Sequence, residues 1–171
     1  KSKYLLPFLI FSSITFSLGL QAAHHEKEEV NYKEGQKAVT DVFGWDMKNP
    51  PITTERISDN LHVLFGNGGN ILVSIGENGV LLVDDQMPEA KNVILRAIRK
   101  LGGRSVDYVI NTHWHFDHAE GNNAFGPSGA QIIAQENSRY MMLNPQPINL
   151  SFIVYPQQPY PLEAVPEIPY K

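Results

Sequence analysis

The sequence contains no cysteine. That excludes thiolate metal ligands, a cysteine nucleophile and disulfides within these 171 residues. Histidine is scarce: there are 6, and none follows His118. Asp117 is the last aspartate. A site built from histidine and aspartate donors therefore has to be assembled from residues 1–118. Basic charge is also short, with 14 Lys and Arg against 18 Asp and Glu and a net charge of −4. Phosphate-backbone recognition needs clustered Lys and Arg, so nucleic acid is excluded as a partner. A phosphate-binding loop is missing too. Gly66-Asn67-Gly68-Gly69 leads into a strand pattern, with no Gly-Lys-Ser/Thr after it. No internal repeat is present.

Long uninterrupted apolar runs are absent. The longest, Tyr4 to Leu20, is broken by Pro7, Ser12, Ser13, Thr15 and Ser17, whereas a spanning helix wants about 20 mostly apolar residues. Lys1 and Lys3 precede this stretch, and Gln21-Ala22-Ala23 follow it. A positive start, an apolar middle and small residues at the end predict a secretory signal peptide over residues 1–23. No cysteine follows for lipid attachment, and no arginine pair precedes it. The expected location is periplasmic or secreted, with no stable membrane anchor after cleavage. Cleavage would remove Lys1 and Lys3, so the 14 basic residues become 12 against 18 acidic ones, and the exported chain is more acidic still.

Residues 24–51 form a polar lead-in that opens His24-His25-Glu26-Lys27-Glu28-Glu29 and ends at Pro50-Pro51. It is expected to be a mobile, solvated segment. From residue 52 the pattern sharpens. Leu61–Phe65 reads as a strand, residues 66–69 as a turn and Asn70–Ile75 as a second strand. Glu77-Asn78-Gly79 reads as a hairpin turn. Val80–Val83 is a third strand, apolar on both faces and therefore buried, and it ends in Asp84-Asp85. Ala90, Val93, Ile94, Ala97, Ile98 and Leu101 recur at helical spacing, which predicts a helix over 88–101 closed by Gly102-Gly103. Val106–Ile110 and Ala130–Ala134 read as strands, and Glu136–Leu143 as a helix. Alternating strands and helices indicate an α/β layered domain. Residues 145–171 carry seven prolines, so this Pro-rich tail cannot be regular helix.

The chemistry concentrates in His113-Trp114-His115-Phe116-Asp117-His118, which places four metal-binding side chains in six residues just past an apolar strand. In an extended segment alternate side chains point the same way. His113 and His115 can thus reach one cation, while Trp114 and Phe116 point into the interior. Asp117 and His118 are adjacent and share a second cation only if the chain turns there. Imidazole nitrogens and a carboxylate suit Zn²⁺, and iron would accept the same donors. Two metals about 3.5–4 Å apart hold a bridging water as hydroxide near neutral pH and polarise the group under attack. That is hydrolysis of an ester, amide or thioester type of small-molecule substrate, with Asp117 orienting the water or taking its proton.

Thr112-His113-Trp114-His115-Phe116-Asp117-His118, followed by Glu120-Gly121-Asn122, resembles the signature of the metallo-β-lactamase-fold hydrolases. Residues 70–84 are similar to the family's early hairpin with its strand-ending Asp, and Ile132-Ile133-Ala134 to its next strand. Ala164-Val165-Pro166 is a fainter match. The resemblance covers about residues 53–143 and implies an αββα sandwich with a dinuclear metal site on one edge. It implies that His113 and His115 bind a first zinc, Asp117 and His118 a second, and that Asp84 orients the metal-binding loop from behind. The sequence departs from the family where a later His, a bridging carboxylate and a final His are expected. The expectation is therefore the N-terminal half of the sandwich: a mixed sheet with flanking helices, residues 52–171 forming a partial domain. A fragment of that kind would be inactive alone and marginally stable, because the inner face of its sheet lacks the sheet it should bury against. The alternatives are an iron-dependent oxidoreductase or sulfur dioxygenase of the same fold, or an inactive truncated metal-binding protein.

Overall fold

The computed structural model describes residues 34–35, 37–150 and 153–171. The expected signal peptide at 1–23 and the first part of the lead-in lie outside the described residues. Among the described residues, no helix is long and apolar enough to cross a membrane. The chain runs in order through helix α1 (residues 37–43), then β1 (Thr53–Arg56), β2 (Leu61–Phe65), β3 (Ile71–Gly76) and β4 (Gly79–Val83). Next come α2 (Lys91–Lys100), β5 (Tyr108–Ile110), α3 (Phe116–Ala119), α4 (Asn122–Phe125), β6 (Gln131–Gln135) and α5 (Glu136–Leu143). The hairpin β7 (Gln146–Asn149) and β8 (Val154–Gln157) precedes the last strand, β9 (Ile168–Tyr170).

Seven strands form one mixed sheet in the order β1-β2-β3-β4-β5-β6-β9. The first four make an antiparallel meander, and β5, β6 and β9 add in parallel. Because β5 runs parallel to β4, a crossover is required between them, which α2 supplies. Pro88–Ala90 opens that crossover as a 3₁₀ turn, where proline's missing N–H costs nothing. Arg99 and Lys100 sit in the last turn of α2, against the negative end of its dipole. Ile94, Ala97 and Ile98 of α2 bury against Leu64, Ile71, Val73, Val80, Leu82, Val109 and Ile132 of the sheet. The strands β2 to β6, α2 and α5 thus follow the sequence pattern. The exposed β1, Thr53–Arg56, has no apolar alternation and was not foreseen.

The opposite face of the sheet is different. Val63, Leu72, Val83, Ile110, Ile133 and Ile168 are register partners in one continuous row across six strands. The first five are half-buried and Ile168 is exposed. The β4 segment is therefore buried on one face and only half-covered on the other, rather than buried on both as its composition predicts.

Two segments pack more firmly than their composition indicates. In the polar lead-in, Val39 of α1 is buried with Met87, Phe116, Ile148 and Tyr155, and Trp45 packs against that cluster. The Pro-rich segment contains the β7–β8 hairpin, in which Pro147 and Pro156 are register partners. It also contains β9, so a closing strand exists where none was expected. Proline forbids helix interiors but is compatible with short edge strands, which need fewer ladder donors. Tyr155, Tyr160, Ala164 and Val165 of this segment are buried.

Candidate metal centre

The motif occupies the carboxyl ends of β4 and β5, the edge where parallel strands of an α/β sheet present ligands. Asp84 follows β4 directly and adopts a left-handed conformation at φ 62. Its N–H donates to the Ile110 carbonyl at 2.8 Å, which locks the two strand ends together. Its carboxylate is buried and then gathers the motif. Thr112 donates to it through N–H at 2.7 Å and through its hydroxyl at 2.8 Å, and His118 Nδ1 lies 2.8 Å from Oδ2.

The chain turns where the shared position of Asp117 and His118 required it to turn. His115 is extended at φ −65, ψ 148, and Phe116–Ala119 forms the short helix α3 behind it. Phe116 is buried, stacked on Tyr155 with ring centroids 4.0 Å apart. Trp114 is half-buried between two apolar clusters. The rings of His113 and His115 are 4.7 Å apart, and those of His113 and His118 are 4.2 Å apart. Asp117 Oδ2 lies 3.4 Å from His118 Nε2. The structure thus brings all four residues into one cluster, with His118 nearer to His113 than the pairing by sequence implies.

Hydrogen bonding sets the nitrogen each ring presents. The Thr112 hydroxyl donates to Asp84, so its oxygen accepts from His113 Nδ1 at 3.0 Å. His118 Nδ1 donates to Asp84. In their neutral forms both rings therefore offer the Nε2 lone pair. Burial, followed by the neighbouring imidazoles, lowers the His113 pKa from the ordinary value; burial also lowers that of His115. The hydrogen bond that His118 donates to Asp84 raises that of His118. Among the described residues, no group of three or more His, Asp or Glu side chains is set to hold one ion. The donors nonetheless suit zinc: neutral imidazoles, an adjacent carboxylate, and a buried carboxylate fixing one ring from its far side.

Several residues outside the motif support it. Gly69 donates its N–H to the Asp117 carbonyl at 3.1 Å, and a methyl group there would fall 2.6 Å from His118 Cε1 and Nδ1. Gly68, at φ +78, is similarly close to Asp117 Cβ. The turn at 66–69, legible only as a hairpin connection, is in fact the wall against which α3 sits. Trp45 flanks Gly68 and stacks on Phe43. Beneath α3, the Tyr155 hydroxyl lies 3.0 and 2.9 Å from the two carboxylate oxygens of Glu120. Asp85 is wholly buried. The Gly121 N–H beside it donates to the Gln86 carbonyl at 2.7 Å. Burial, with the charges of Asp84 and Glu120, raises the Asp85 pKa well above the usual carboxylate range.

The model of the metallo-β-lactamase superfamily matches residues 64–154, more than half of the chain. The chain belongs to the metallo-β-lactamase superfamily. Solved structures agree on the fold. BJP-1, a subclass B3 metallo-β-lactamase of Bradyrhizobium japonicum, is 21% identical with a TM-score of 0.57, over 74% of this chain and 48% of its own. A metallo-β-lactamase of Cronobacter sakazakii is 20% identical with a TM-score of 0.59, over 71% and 47%. FEZ-1 from Legionella gormanii is 22% identical with a TM-score of 0.52, over 58% and 39%. The chain therefore spans about half the length of the metallo-β-lactamases it matches. Its mixed sheet with flanking helices is the α/β arrangement expected of the first part of this fold.

Proposed function

We propose that these residues supply half of the metal site of an exported, zinc-dependent hydrolase acting on a small ester, amide or thioester type of substrate. His113 and His115 would hold one ion, and Asp117 and His118 a second. The observation that carries this reading is the three-ring cluster at 4.2 and 4.7 Å, with Asp117 beside it and Asp84 behind it. Bound zinc supplies Lewis-acid polarisation and a water that ionises near neutral pH.

The chain's own residues do the rest. Asp84 and Thr112 fix the tautomers of His118 and His113, so each presents Nε2 outward. Asp117 is half-buried beside His118, where its carboxylate can hold an attacking water in line or accept its proton. The rows of apolar residues in β4 and β5 keep the strand ends rigid beneath it. The signal-like residues 1–23 support export, and the acidic balance supports a small-molecule partner rather than nucleic acid.

Metal titration of the 171-residue chain, with the bound element identified by mass spectrometry, tests the assignment. Zinc binding that is lost in His115→Ala is the expected result. Unchanged zinc stoichiometry in that variant would overturn the ligand assignment, and selective retention of iron would favour the oxidoreductase reading.

A further inference from the structure

Gln86 is fully buried and sits at φ 58, a conformation that non-glycine residues other than Asn and Asp rarely adopt. The backbone alone gives no reason for a side chain here, because glycine takes this conformation without strain. The side chain must therefore be judged by what it touches. Its amide Nε2 donates to the Gly69 carbonyl at 2.6 Å. A methyl on Gly66 would lie 2.9 Å from that same nitrogen, so the amide is inserted into the glycine turn.

Both ends of Gly69 are then engaged. Its carbonyl accepts from Gln86, and its N–H donates to the Asp117 carbonyl. Gln86 is also tied to α3 through its backbone. Its carbonyl accepts from Gly121 N–H at 2.7 Å, the preceding Asp85 N–H donates to the His118 carbonyl at 2.9 Å, and Gln86 bridges to Ala119. These bonds close a ring around α3: from Asp117 to Gly69, to the Gln86 side chain, through the Gln86 backbone to Gly121, and back to His118. Every other bond named in the ring is between backbone groups. The Gln86 amide is the one side-chain bond, and so the one that substitution can remove.

We propose that Gln86 is a positioning residue for the metal centre, its amide clamping the Gly66–Gly69 turn onto α3 so that Asp117 and His118 are held beside His113. This rests on the zinc-site reading above. The clamp acts on geometry alone. Gly69 is the residue whose missing side chain leaves room for the His118 ring, so a shift of that turn moves the space in which the ring sits. Supporting groups behind metal ligands commonly change metal affinity by about 10–100-fold.

The test compares the wild-type chain with Gln86→Met, which keeps the bulk and removes the amide, and Gln86→Gly, which removes both bulk and backbone strain. Zn²⁺ affinity is measured by competition with a chromophoric chelator, the visible spectrum is recorded for the Co²⁺-loaded chain, and hydrogen exchange is followed at the Gly69 amide. Both variants should bind Zn²⁺ about tenfold or more weakly, alter the Co²⁺ spectrum and exchange faster at Gly69. Folded variants that bind Zn²⁺ within twofold of wild type, with the same Co²⁺ spectrum, overturn the proposal. If wild type itself binds no Zn²⁺, the zinc reading fails. The Gly69 amide then decides the clamp alone: faster exchange in the variants upholds it and an unchanged rate overturns it.

Discussion

His118 Nδ1 lies 2.8 Å from Oδ2 of Asp84, a residue 34 positions earlier in the chain. One carboxylate at the end of β4 thereby orients a ring on α3, and it also receives both donors of Thr112 at the end of β5. Three separate elements are referred to a single buried charge, so the cluster keeps its shape without depending on loop stiffness.

That contact has a pH signature. A raised His118 pKa means that the imidazolium–Asp84 interaction contributes stability fully below the unfolded value near 6.5, and loses it as pH rises through the folded value. Zinc competes with that proton, so zinc affinity should climb as pH rises through the same range. In Asp84→Asn, ¹⁵N-detected titration of the metal-free chain should show His118 moving down toward 6.5. An unmoved His118 titration would show that Asp84 is not the cause.

Gly69→Ala tests the space beside His118. The added methyl falls 2.6 Å from the ring, closer than van der Waals contact allows, so the ring or the turn must shift. A loss of zinc affinity of about tenfold or more is expected, with the secondary structure unchanged by circular dichroism. Wild-type affinity in this variant would mean that the ring tolerates displacement.

Tyr155→Phe keeps the stacking on Phe116 but removes the hydroxyl from between the two Glu120 oxygens. A hydrogen bond to a buried charged group contributes about 2 kcal/mol. Urea unfolding of the variant should show a loss of that order. A change below about 0.5 kcal/mol, the scatter expected at unremarkable surface sites, would mean the hydroxyl contributes little to holding the Pro-rich hairpin against α3.

The half-covered row from Val63 to Ile168 should make the chain self-associate and bind hydrophobic dyes, since contiguous apolar patches of that kind are uncommon on stable monomers. Leu72→Lys, in the middle of the row, should reduce both effects in analytical ultracentrifugation and dye fluorescence. A wild-type chain that stays monomeric at high concentration and melts cooperatively at high temperature would contradict this.

The strands β2 to β6 and the helices α2 and α5 were legible because each writes its own period into the sequence. The alternation of Ile71 and Val73, and the helical spacing of Ile94, Ala97 and Ile98, match the buried positions observed. The Pro-rich segment was not legible as strands. Proline rules out helix without specifying what replaces it, and β9 exists because β6 offers an open edge. α1 was hidden for a related reason. Val39, Val42 and Phe43 are few apolar residues among polar ones, and Met87, Phe116, Ile148 and Tyr155 give Val39 a core to enter.

By itself the sequence determined the candidate donors, the superfamily and the alternation of strands with helices, because those depend on residue type and local spacing. Tertiary structure decided how the donors meet. The turn into α3, the second role of Asp84, the insertion of Gln86 into the glycine turn and the support from Tyr155 join residues that lie 17 to 35 positions apart. Hydrogen bonds over such separations follow from strand register and packing, which no local pattern encodes. The same register aligned six apolar side chains into one half-covered row.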